Sequence, residues 1–368
     1  MTLIQPHEKS LVSPYFAFYL IVSMQIGVGI LGFQRYIAKS SGHDAWMTVM
    51  IAGVAIHALV WMCYSLLNNS GGDLVSIHEQ LFGKWVGAVF STLFFLYAVF
   101  LALTALRTYI EVIQVWMFPH INAWGIGFLL IFVAYYFVSG GFRIVTALSF
   151  FCVLIGTPII FLKYFALKNS HFYNLLPLFD HSLMDYYAGT KAMTLNFLGF
   201  EMLLMYYPFI KNPASSHKWS QWGAFFTLCI YTLTALESFA YYSQGQLKHT
   251  IWATVTIWKI VEFPFIERFE YIGISMWLFV ILPNIVISIW VATRIFKRVY
   301  TIKQKYSIFP IMLLLWIGCF IFKDRQFIDA LNTYVSRIGY YLIFFYIPLL
   351  FIIQRIVLKV KGTKHAKI

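Results

Sequence analysis

The chain has 368 residues, 61% of them hydrophobic and 11% charged, with a mean hydropathy of +0.75. Soluble domains carry roughly 45–50% apolar and about 25% charged residues, so this composition excludes a soluble globular protein and leaves an integral membrane protein. The formal net charge of +13 falls in the loops between apolar runs, clustered at 294–305 and 355–367. That placement fits positive-inside topology and anionic lipid headgroups rather than nucleic acid.

In chain order, a polar start, MTLIQPHEKS, precedes the first apolar run, and no small-residue cleavage site follows it. This run is therefore expected to stay as a membrane helix. Apolar runs long enough to cross a hydrocarbon core about 30 Å thick are expected at 12–37, 44–67, 85–116, 121–139, 144–166, 189–210, 217–244, 269–297, 307–323 and 334–358. That is ten spans, all α-helical. The polar interruption from Asn169 to Tyr187 divides them into two groups of five. The expected organisation is a tail at 1–11, a five-helix repeat at 12–166, a connector at 167–188, a second repeat at 189–359 and a basic tail at 360–368. Five helices per half place the halves in opposite senses, which is the pattern of an inverted repeat. Lys9, Lys84, Arg143, Lys211, Lys218 and the two clusters lie on one side of this topology, so both termini are expected in the cytoplasm.

The first span carries three glycines in GVGILGF, at Gly27, Gly29 and Gly32. The equivalent helix of the second half, span six, carries Gly199 and Pro208. Interruptions at matching places in two repeats mark discontinuous helices around a midplane site, and an unwound backbone survives at that depth only beside a cavity. For the triplet alone, close helix packing is the competing reading.

Charges inside spans cost at least about 2.5–3.5 kcal/mol on insertion scales, so each needs a reason. Glu201 stands beside Gly199 and Phe200, where it either receives a ligand cation or clasps the broken backbone. Arg107 and Glu111, four apart on span three, read as an intrahelical ion pair or as side chains snorkelling toward the outer interface. Tyr97 and Thr104 on the same span, and Asn284 with Ser288 on span eight, are cavity or packing candidates. Glu237 reads as polar glue, and His57 as satisfied by its neighbours. Cys63, Cys152, Cys229 and Cys319 have no metal or disulfide spacing. No hydrolase, metalloprotease or nucleotide-binding motif is present, so neither an enzyme nor a self-contained primary pump is expected, and no cofactor.

Three motifs together, GVGILGF at 27–33, LGFE at 198–201 and EFPFIERFE at 262–270, resemble the B subunits of spore germinant receptors, the GerAB and GerBB type of Bacillus and relatives, over nearly the whole chain. Gln34 stands where that family often has proline. The resemblance implies a ten-helix LeuT-type bundle with helices one and six discontinuous, in the spore inner membrane, working with an A subunit and a lipoprotein C subunit. It also implies recognition of an amino acid or similar nutrient against Gly27, Gly29, Gly32, Gly199, Phe200 and Glu201, with helices three and eight contributing. A lone amino-acid permease and a scaffold subunit with a vestigial pocket are the rival readings.

Overall fold

The computed structural model describes residues 6–264 and 266–365. The expected tails at 1–11 and 360–368 therefore extend outside the described residues, as does Phe265 in the third motif. Among the described residues all named elements are helical, with two isolated β-bridges. In order the helices are α1 (Phe16–Gln25), α2 (Phe33–Ser41), α3 (Ala45–Ser70), α4 (Leu74–Trp116), α5 (Ala123–Ser139), α6 (Phe142–Gly156), α7 (Lys163–Lys168) and α8 (Leu183–Phe197). They continue as α9 (Leu203–Tyr206), α10 (His217–Tyr241), α11 (Gln244–His249), α12 (Ala253–Ile257), α13 (Phe269–Tyr300), α14 (Gln304–Ile321), α15 (Arg325–Tyr341) and α16 (Ile347–His365).

Seven helical stretches among the described residues are long and apolar enough to cross a bilayer. α1 and α5 are apolar but shorter, and the region of expected span six is divided between α8 and α9. Bulky side chains such as Leu93, Phe128, Phe151 and Leu313 are exposed on the outside of the bundle, where lipid takes the place of water. The protein is thus a multi-pass membrane protein.

α13 is the axis of the bundle. It is apolar around most of its circumference, as an interior helix must be, and its residues 280–295 are all buried. It packs along α4 and α6. α4 begins eleven residues before the expected start of span three because Asp73 caps it, its carboxylate accepting from Ser76 N–H at 3.0 Å. A kink at Gly83, φ +79, separates this polar first part from the apolar remainder. The expected tenth span likewise begins earlier: α15 runs on through a π-helical turn at Leu342–Tyr346 into α16. Pro158 sits in a 3-10 stretch, Thr157–Leu162, that joins α6 to α7. Proline removes a backbone donor, which favours such a tightened turn over a continuous helix.

Two helices stop inside the bundle. α1 ends at Gln25, and a 3-10 turn at Val28–Leu31 leads to α2. α8 ends at Phe197, and Gly199 at φ +110 leads through another 3-10 turn into α9. The ends of these two broken elements away from the cavity described below are tied by main chain: Val12 N–H donates to Phe209 O at 2.9 Å and Lys211 N–H to Val12 O at 2.8 Å. Arg143 adds a hydrogen bond to Leu11 O at 3.1 Å.

A positive φ costs an L-residue about 1–2 kcal/mol, and a Cβ on Gly199 would also meet Met24 at 2.9 Å. Gly199→Ala is expected to lower the thermal unfolding midpoint of the detergent-solubilised protein; an unchanged midpoint would show that the turn relaxes without cost.

Candidate functional site

A helix that stops in a membrane leaves main-chain groups that the protein itself must satisfy. At the first break the carbonyls find four side chains from three other helices. Asn284 Nδ2 of α13 donates to Ser23 O, and Tyr231 OH of α10 to Gln25 O at 2.9 Å. Trp277 Nε1 of α13 donates to Gly27 O at 3.3 Å, and Thr254 Oγ1 of α12 to Ile30 O at 2.8 Å. Gln34 is fully buried and donates to Thr254 Oγ1 and Ser238 Oγ. It ties α2 to the same scaffold.

The glycines serve close approach as well as unwinding. A Cβ on Gly27 would collide with Asn284 Oδ1, one on Gly29 with Asn196 Oδ1, and one on Gly32 with the carbonyl oxygen of Ile251. None of the three has a positive φ in the structure. Their lack of a side chain therefore matters here for space, and the two sequence readings of the triplet coincide.

At the second break Glu201 folds back on its own turn. Gly199 N–H donates to both carboxylate oxygens at 2.9 and 2.8 Å, and Tyr97 OH donates to Oε1 at 2.5 Å. The carboxylate thus sits at the positive N-terminal end of the half-helix and is fully buried. This is the clasp geometry.

Between the breaks lies a cavity of about 440 Å³, within the range of roughly 300–1,000 Å³ typical of small-molecule clefts. Of the residues singled out from sequence, Gly27, Gly29, Gly32, Thr104 and Asn284 line it. Gly199, Phe200, Glu201, Tyr97 and Ser288 are not in its lining. Tyr97 is about two turns from Thr104 along α4, engaged with Glu201, and Ser288 is buried in the core.

Several lining residues escaped the sequence reading. Gln25 and Asn196 flank the two breaks, Gln25 Nε2 bridging them by donating to Phe197 O at 3.1 Å. One wall is the polar stripe Arg325, Asp329, Asn332, Ser336 and Arg337 of α15. The steps of four, three and four from Arg325 to Ser336 make a helical face that was available in the sequence, but a span started at 334 leaves most of it in a loop.

The charges pair differently from the sequence expectation. Glu111 does not pair with Arg107, four residues away. It accepts from Arg325 NH1 through both oxygens, at 2.9 and 2.8 Å. Arg107 instead donates to the carbonyls of Phe322 and Lys323, holding the link between α14 and α15. The partner of Arg325 lay more than two hundred residues away, beyond the reach of spacing arguments. Arg325 also donates to Tyr36 OH at 3.0 Å, which donates to Asp329 at 2.8 Å, so this network spans the cavity wall between α2, α4 and α15. Glu237 pairs with Lys163 of α7, and both join the lining of a smaller cavity of about 80 Å³ with Val22, Ile26 and Ile30 among others. His57 is satisfied by Gln221 at 2.5 Å.

The chain matches the model of the spore germination protein family over residues 11–328. Among curated relatives, spore germination protein GerQB of Bacillus cereus is 41% identical over 350 residues, covering 95% of this chain and 97% of that protein. Spore germination protein B2 of Bacillus subtilis (strain 168) is 25% identical, covering 68% and 69%. Among solved structures, MhsT in complex with L-phenylalanine superposes with a TM-score of 0.66 at 14% identity, covering 94% of this chain and 88% of that one. A manganese transporter of Eremococcus coleocola, in complex with an aromatic bis-isothiourea substituted compound, gives 0.62 at 11%, covering 95% and 81%. These neighbours show a LeuT-type fold.

The clasp geometry makes Tyr97 and Glu201 energetically coupled. Charge-assisted hydrogen bonds contribute about 1.5–3 kcal/mol, so Glu201→Ala and Tyr97→Phe should each lower the unfolding midpoint, and the double variant should lose less than the sum. Strict additivity in that cycle would dissolve the coupling.

Proposed function

Because the chain belongs to the spore germination protein family, we propose that it is the nutrient-sensing B-type subunit of a germinant receptor in the spore inner membrane, with an amino acid or similar small nutrient bound at the midplane between the two broken helices. The observation that carries this reading is the cavity lined by Gly27, Gly29, Thr104, Asn196 and Asn284, placed where two main chains are interrupted. The proposed architecture is ten spans in a five-plus-five inverted repeat joined at 167–188, with both termini cytoplasmic. The proposed partners are an A subunit and a lipoprotein C subunit.

The binding chemistry follows from the breaks. The first N–H groups of the turn at 28–31 have no acceptor within it and suit a carboxylate or another electron-rich group. Gln25, Asn196 and Thr104 supply neutral polar groups for the other end. The helix end at Gly199 is served by Glu201 instead, so in this reading Glu201 acts as a positioning residue that shapes the break. A ligand favours whichever bundle arrangement it binds better, by its difference in affinity between the two. In a receptor complex that shift is passed to the partner subunits.

A lone secondary amino-acid transporter is the second reading. The observation favouring it is the superposition on MhsT in complex with L-phenylalanine. Saturable amino-acid uptake into vesicles holding this chain alone would establish it.

Gly29→Leu fills the space next to Asn196. Spores carrying it at normal protein level should lose response to the cognate nutrient, and purified protein should lose ligand-dependent thermal stabilisation. An unchanged dose response would remove the cavity from nutrient sensing.

A further inference from the structure

The charges around the cavity are unbalanced. Its lining holds three cationic side chains, Lys191, Arg325 and Arg337, against one carboxylate, Asp329. Asp329 is engaged by Tyr36 and lies 3.6 Å from Arg325. The nearby carboxylates are also committed, Glu111 to Arg325 and Glu201 to Gly199 and Tyr97. Lys191 lies over the ring of Tyr340 at 5.2 Å. Neither it nor Arg337 has an ion-pair partner among the described residues.

The buried end of the cavity is neutral. Gln25, Asn196 and Thr104 are 2%, 7% and 5% exposed, and each keeps an oxygen with no hydrogen-bond partner. Those oxygens are closed off from the cavity by their neighbours, so this end presents uncharged side chains, with no free carboxylate among the described residues to offset a net positive charge.

We infer that the cavity selects ligands bearing a carboxylate or comparable anionic group and rejects their net-cationic analogues, with Lys191 and Arg337 as the residues that set this preference. The inference rests on the reading of this cavity as the nutrient site and specifies its chemistry. A ligand with a negative group gains attraction from the two cations, and the uncharged end of the cavity beside Gln25, Asn196 and Thr104 takes its neutral part. An amine or diamine meets two uncompensated positive charges, and the one carboxylate of the lining, Asp329, is already engaged. Lys191 and Arg337 come from α8 and α15, so a ligand that engages both also bridges the broken helix to the polar wall.

The test uses the full chain in nanodiscs, with each common L-amino acid compared with its C-terminal amide, which lacks the carboxylate and carries one more positive charge. Thermal-shift titration should find an amino acid that binds at least about tenfold more tightly than its amide. The exposed-site double variant Lys191→Gln/Arg337→Gln should reduce that ratio to about twofold or less, without shifting the melting temperature of the unliganded protein. An amide that binds as tightly as its amino acid overturns the inference and leaves the nutrient site standing. So does an unchanged ratio in the double variant; loss of co-purifying anionic lipid in that case assigns the two cations to headgroups. Failure of every amino acid and every amide to bind folded protein removes the nutrient-site reading first, and the inference with it.

Discussion

A main chain released from its helix inside a bilayer has no water to turn to, and the first break obeys that constraint residue by residue. Ser23, Gln25, Gly27 and Ile30 hand their carbonyls to Asn284, Tyr231, Trp277 and Thr254. The acceptors are consecutive turns of one broken element, whereas the donors come from α10, α12 and α13. The break is thereby the point where separate parts of the bundle are made to meet, and the space that it encloses inherits their arrangement. Gly27 and Gly29 let the side chains of Asn284 and Asn196 press directly on the backbone, so the polar groups around the cavity are positioned by rigid neighbours.

The second break solves the same problem locally. Glu201 returns to the amide two residues before it, and Tyr97 fixes the carboxylate from α4. A negative side chain at the start of a half-helix is favourable through the dipole and the unpaired amide together. Because that place is taken, the two interruptions are not chemically alike: one is held by many neutral partners, the other by a single internal charge. With Glu201 turned onto its own backbone, the buried end of the cavity holds no charge, and the unpaired cations of its lining stand on α8 and α15.

What could be read from sequence follows this division. Hydropathy located most of the helical stretches, and the glycines located both interruptions, since Gly199 adopts a backbone angle other residues avoid and Gly27, Gly29 and Gly32 leave space that side chains would fill. The choice of Glu201 as the charge of interest singled out a group that the structure places on the break. Its direction was not legible, because nothing in LGFE says whether the carboxylate points at a ligand or at its own backbone. Pairings across the fold were equally hidden. Arg107 and Glu111 have ideal spacing for each other, yet each takes partners from the chain beyond residue 320. The α15 stripe was lost for another reason, since a polar helix face opening on an internal cavity resembles a loop when hydropathy is averaged.

The short main-chain pairing of Val12 with Phe209 and Lys211 joins the starting end of α1 to the chain just after α9. Neither half of the broken pair can swing at that end without carrying the other or rupturing two backbone hydrogen bonds. Any tilt at that end is therefore shared by both rods, and the tied end lies beside the basic end of α13, where Arg294 stands over the Phe209 ring at 4.9 Å.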